Sequence, residues 1–124
     1  MTPEKFTVFA LAQIEQAQAH VRNADTQILR DLNAGRFPAD IHLADLATNR
    51  TLGGLWLGAL DAVEKQGQDP DAALAGAREK ALKSLMACVE HGANPFDAAR
   101  IKAEGQGYAR FLRDAAPPRK EAGR

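Results

Sequence analysis

The sequence predicts an all-α bundle of four to five helices, with a long N-terminal helix and a short disordered C-terminal tail. Three observations carry that expectation. Large apolar residues recur at helical spacing in four blocks, and proline or glycine punctuation bounds each block. No segment shows the period-two alternation of a strand held between hairpin turns.

The first block opens with Thr2-Pro3-Glu4: an N-cap, a proline at the first helical position and an acid in the first turn. Phe6, Ala10, Ile14, Ala17, Val21, Ala24, Ile28 and Leu32 follow at spacings of three and four, which lines them along one face. Nothing stops this helix before Asn33-Ala34-Gly35, so it would run about 45 Å. Asn23-Ala24-Asp25-Thr26 is the one place where a bend or break is expected.

The second block follows Phe37-Pro38-Ala39-Asp40 and carries Leu52, Leu55, Trp56, Ala59, Leu60 and Val63 on one face. Thr48-Asn49-Arg50-Thr51 is a candidate interruption, and it is the source of a fifth helix in the count. Gly67 ends the block. Asp69 as N-cap and Pro70 behind it start the third helix, whose expected apolar face is Leu74, Leu82, Leu85, Met86 and Val89. Asn94-Pro95-Phe96-Asp97 repeats the start signal for a fourth helix bearing Ile101, Tyr108, Phe111 and Leu112. Gly105 and Gly107 weaken its middle and mark a candidate kink. Residues 1–114 are therefore expected to form one domain, and 115–124, with two prolines and no large apolar side chain, a flexible tail.

Composition narrows function by exclusion. Sixteen basic residues balance sixteen acidic ones, against the strong net charge of proteins that coat or mimic nucleic acid. The single cysteine, Cys88, permits no internal disulfide, and no stretch approaches a membrane span. With no export pattern at the amino terminus, a cytoplasmic setting without membrane contact is expected.

Catalytic and metal readings find little support. Cys88 and His91 stand three apart, but a zinc site would also need His20 and His42 to converge from other helices. Cys88 is better read as a small core hydrophobe, and His91 as a last-turn residue favoured by the helix dipole. Asp40, His42 and Asp45 cluster at a helix start, where acids are ordinary. Arg78 projects into the apolar stripe of the third helix, where its stem can lie on the core with its head in water. No catalytic residue, metal ligand or cofactor is expected.

What remains is surface. Leu11 and Leu29 lie on a flank of the first helix, outside its stripe. On the second helix Gly54 and Gly58 fall opposite the Trp56 face, where a G-x-x-x-G pair beside Leu57 lets another helix approach closely. The expected function is that of a small non-enzymatic interaction protein, an adaptor, inhibitor or regulatory subunit. Leu11, Leu29, Gly54, Leu57 and Gly58 are its candidate partner-binding residues, and a second copy of the chain is one candidate partner. The alternative is a nucleoprotein subunit touching nucleic-acid backbone through Lys102, Arg110 and Arg113, which share a face of the last helix. An enzyme centred on Cys88 and His91 ranks third.

Overall fold

The computed structural model describes residues 1–91 and 98–115, and for 89–91 and 98–101 the backbone alone. It holds four helices: α1 (Pro3–Asn33), α2 (Asp40–Glu64), α3 (Pro70–His91) and α4 (Ala98–Asp114). No strand occurs among the described residues.

Both suspected breaks are continuous helix, because their polar side chains find partners that leave the backbone ladder intact. In α1 the Thr26 hydroxyl donates to the Arg22 carbonyl one turn back, at 3.0 Å. In α2 the Asn49 amide donates to the Asp45 carbonyl at 2.8 Å. The buried Thr48 hydroxyl instead leaves its own helix and donates to the Ala103 carbonyl of α4, also at 2.8 Å. Four helices therefore stand where five were conceivable.

The caps follow the start and stop signals. Thr2 Oγ1 accepts from the Lys5 N–H at 3.2 Å, with Pro3 at the first helical position. One Asp69 carboxylate oxygen accepts from the Asp71 and Ala72 N–H groups, at 3.1 and 3.3 Å, and Pro70 behind it is fully buried. α1 closes with Gly35 at φ 75°, where the Arg36 N–H reaches the Asp31 carbonyl and the Gly35 N–H the Leu32 carbonyl.

The start of α2 is capped from outside. Ala39 has no capping side chain, and its N–H donates to Asp31 Oδ2 at 3.3 Å, while Arg36 Nη2 holds Oδ1 at 3.1 Å. The Arg36 hydrogen bond, then that of Ala39, holds the Asp31 carboxyl below its ordinary value. One side chain thus ties the end of α1, the turn and the beginning of α2 together.

α2 is the hub. α1 packs along it, α3 and α4 both meet it, and α3 and α4 pack on each other. Trp56 is fully buried, with Phe9 of α1 edge-on at 5.3 Å between ring centroids and Phe111 of α4 at 4.9 Å. Its indole N–H meets no acceptor among the described residues. Phe6, Ala10, Ile14, Leu52, Ala59, Leu60 and Val63 complete this centre much as the spacing predicts.

α3 departs from its expected face. Leu82 and Met86 are both 51% exposed, whereas Ala73 and Ala81 are buried and Ala77 packs against the core. Small side chains bring α3 close to its neighbours; Leu82 and Met86 turn outward, whereas Leu74 packs against the core and Leu85 lies toward Gly105, as the spacing predicts. Arg78 is partly buried, and its guanidinium donates to the Leu112 carbonyl in the last turn of α4. A cation there also suits the negative end of the helix dipole.

The glycines of α4 produce no break in the helix. Gly107 is buried against α2, and a Cβ built there would lie 2.7 Å from the Thr48 carbonyl oxygen and 2.9 Å from Thr51 Cβ. Gly105 is looser, since its Cβ would sit 3.6 Å from Leu85 Cδ1 and 3.7 Å from Cys88 Cβ. Ala115 is buried and its N–H donates to the Phe111 carbonyl, so packing reaches one residue into the expected tail. Residues 116–124, and the start signal at 94–97, lie outside the described residues.

Two tests follow from these contacts. Gly107→Ala should destabilise the fold by about 1–3 kcal/mol through overpacking against a backbone oxygen. Gly105→Ala, which meets only ordinary contacts, should gain up to about 1 kcal/mol of helix propensity. Urea denaturation of the two variants compares them directly. Asp31→Asn should lower the melting midpoint near neutral pH. Because the folded Asp31 value lies below the unfolded one, this stabilisation is complete above the unfolded value, near 3.8, and vanishes as pH falls through the folded value. Thermal melts from pH 7 downward should show the wild-type advantage closing over that acidic window.

Candidate functional site

The outward face of α2 is built by the same periodicity that buries Trp56. With Trp56, Leu52, Ala59 and Val63 turned inward, residues half a turn away must face out. Gly54 and Gly58 are exposed there, and a Cβ on either would meet nothing within 4 Å. Leu57 stands between them, 48% exposed.

Two grooves border this ridge. Toward α1 lies a hollow of about 330 Å³ whose floor includes Ile14, Ala17, Val21 and Gly53, with Gly54 and Leu57 on its α2 wall. Toward α3 lies a second of about 260 Å³, bounded by Gly54, Gly58, Ala62, Ala73, Gly76 and Ala77. Gly54 opens onto both. The α1 groove is shallow at its centre because helices approach closely there: a Cβ on Gly53 would sit 3.3 Å from Ala17 Cβ.

The candidate partner-binding residues divide into two groups. Gly54, Leu57 and Gly58 form one continuous surface. Leu11 and Leu29 are exposed on α1, but they stand 18 residues apart, about 27 Å along the axis. Exposed Glu15, Gln18 and Arg22 lie on the same side between them, so the two leucines do not make one apolar seam. Around the α1–α2 turn, Leu32, Phe37 and Ile41 are also exposed, Phe37 to 83%. Leu32 belongs to the predicted covered stripe of α1 but is exposed in its last turn, and Phe37 lies in a turn, which carries no periodicity from which to project a face.

Another groove that the sequence did not disclose lies between the first half of α2 and α4. It measures about 460 Å³, with Leu43, Ala44, Leu46, Ala47 and Thr51 along it and Asp40, Arg50 and Glu104 at its edges. It exists because Thr48 and Gly107 draw the two helices together just beyond it.

The basic residues of α4 share an exposed face, as projected. Lys102 and Arg110 are exposed, while Arg113 Nε pairs with Asp114 Oδ1 at 2.9 Å, a contact that raises the arginine's affinity for its proton. Asp114 therefore already engages Arg113, at the surface. Cys88 is half-buried toward Gly105, consistent with packing, and the His91 side chain lies outside the described residues. Asp40 and His42, two residues apart on one helix, project in opposed directions, while Asp45 shares the His42 side one turn on. Among the described residues no three histidine, cysteine or carboxylate side chains converge as metal ligands, and no helix is long and apolar enough to cross a membrane.

The class so defined is a small all-α protein in which three helices gather on a central one and leave its outer face bare. No family model, curated protein or solved structure matches the chain.

Gly54 and Gly58 have a measurable consequence. Each sits inside a regular helix with open space around it, so Gly54→Ala and Gly58→Ala should each stabilise the monomer by about 1 kcal/mol, nearly additively. Chemical denaturation at micromolar protein concentration should show both gains. A loss at either site would mean that the open face is occupied in the monomer itself.

Proposed function

We propose that this is a non-enzymatic interaction protein that works by presenting the outer face of α2 to a protein partner. The observation that carries the reading is the pair of exposed mid-helix glycines, which destabilises the monomer without relieving any contact in it. Their use becomes intelligible if something lies across them: without side chains at 54 and 58, a partner can come down onto the α2 backbone. Leu57 supplies an apolar anchor at the centre, and the two grooves receive side chains on either side. An adaptor, inhibitor or regulatory subunit in the cytoplasm would need no more chemistry than this.

Backbone contact with nucleic acid through Lys102, Arg110 and Arg113 has less behind it, since Asp114 already engages Arg113. Such binding would be weak and would fall steeply with salt.

Affinity capture from the native host tests the leading reading. Wild-type protein should retain a specific partner. Gly58→Leu, which fills the ridge, and Leu57→Glu, which places a charge at its centre, should each reduce capture about tenfold or more, while circular dichroism stays unchanged. Lys102→Ala with Arg110→Ala should leave it intact. Capture indifferent to both α2 variants would overturn the reading.

A further inference from the structure

We infer that the outer face of α2 pairs with the same face of a second copy, the two α2 helices lying antiparallel about a two-fold axis between residues 55 and 56. This rests on the reading of that face as a docking surface and names its occupant. The reason is an internal symmetry of charge and shape. Arg50, Gly54, Leu57 and Asp61 follow one another at spacings of four, three and four, the interval of a helical contact stripe. Eleven residues return within about 20° of the starting direction, so Arg50 and Asp61 share a face, about 16 Å apart along the axis.

Run antiparallel, this stripe complements itself. Arg50 of one copy comes opposite Asp61 of the other, and Leu57 comes opposite Gly54. Each interaction then occurs twice, as a two-fold interface requires. The leucine is the knob and the glycine its hole, with Gly53, Ala17 and Ile14 beneath as apolar floor. A parallel arrangement would instead set Arg50 on Arg50 and Asp61 on Asp61.

The participating groups are accessible. Arg50 is exposed and makes no ion pair among the described residues. Asp61 pairs with Lys65, one turn on, at 3.5 Å; its side chain is 40% exposed, and a contact of this kind carries little energetic weight. Arg22 of α1 and Lys80 of α3 stand at the outer edges of the grooves, beside the seam. Pairing along a single helix buries less than a standard stable interface, so the expected dissociation constant is on the order of 10–100 μM.

Sedimentation equilibrium from about 10 μM to 1 mM reads the result. Wild type should dimerise in this range. Arg50→Asp alone, or Asp61→Arg alone, sets like charges opposite each other at two symmetry-related places and should weaken the dimer about tenfold or more. The double variant Arg50→Asp/Asp61→Arg should restore wild-type affinity. All four proteins should share one circular dichroism spectrum, because both positions are on the outer face. A chain monomeric at about 1 mM overturns self-pairing. If that monomer still captures a different protein through Leu57, the broader docking reading stands, and the groove-edge arginines and lysine point to an acidic helix as occupant. A dimer that forms but ignores the charge reversals overturns the antiparallel register. A dimer indifferent also to Leu57→Glu places association elsewhere and removes α2 as its site.

Discussion

The burial of Trp56 is the constraint on which the other packing choices depend. Its ring is flanked by Phe9 of α1 and Phe111 of α4, so one side chain of α2 binds helices from two sides. Offset and edge-on aromatic contacts of this kind add to the value of the apolar area they bury. They also fix orientation. With Trp56 directed inward, helical periodicity leaves no choice about the rest of α2. Leu52, Ala59, Leu60 and Val63 line its inner side, and Gly54, Leu57 and Gly58 must face out. The core and the candidate docking surface are two consequences of one rotation angle.

Around that anchor, small residues set the spacing. Thr48 reaches the Ala103 carbonyl only because Gly107 lets α4 come down onto α2, and a single Cβ there would meet the Thr48 carbonyl oxygen. α3 docks through alanines for a related reason, since a face of leucines would hold it farther away. Arg78 then closes the α3–α4 contact by satisfying a carbonyl in the last turn of α4. Thr48 and Arg78 both donate to carbonyls of α4, so each side chain is satisfied where it is drawn in from water.

The parts legible in the sequence are those governed by local rules. The stripe from Phe6 to Ile28, the Trp56 face, and the caps at Thr2 and Asp69 depend on spacing and on neighbouring backbone, all present in one short window. The errors came where the partner helix decides. Hydrophobicity ranks Leu82 above Ala81, but the distance between helices ranks them the other way, and that distance is not written in α3. Gly107 read as weakness because its cost is local and its benefit lies in α2. Asp31 caps a helix that begins nine residues ahead, a contact no short window of sequence shows. On the candidate surface, the outward position of Gly54 and Gly58 was legible because Trp56 phases the whole helix. Leu11 and Leu29 are separated by about 27 Å with polar residues between them, a separation that the spacing alone already gives.

Glycine in the middle of a helix costs the same wherever it occurs, so its context decides what it means. At Gly107 the reason is inside the molecule: the Cβ has nowhere to go, and the α2–α4 hydrogen bond depends on its absence. At Gly54 and Gly58 no such neighbour exists. Backbone geometry does not demand them either, since neither has positive φ and both lie in unbroken helix. A residue that weakens the folded monomer and serves no contact within it is most economically explained by a contact outside it. The stripe to which Gly54 belongs adds a direction to that inference. Arg50 and Asp61 close it with opposite charges, so the surface is the complement of its own reverse, a property that folding of one chain does not require and that an antiparallel pair of chains would use in full.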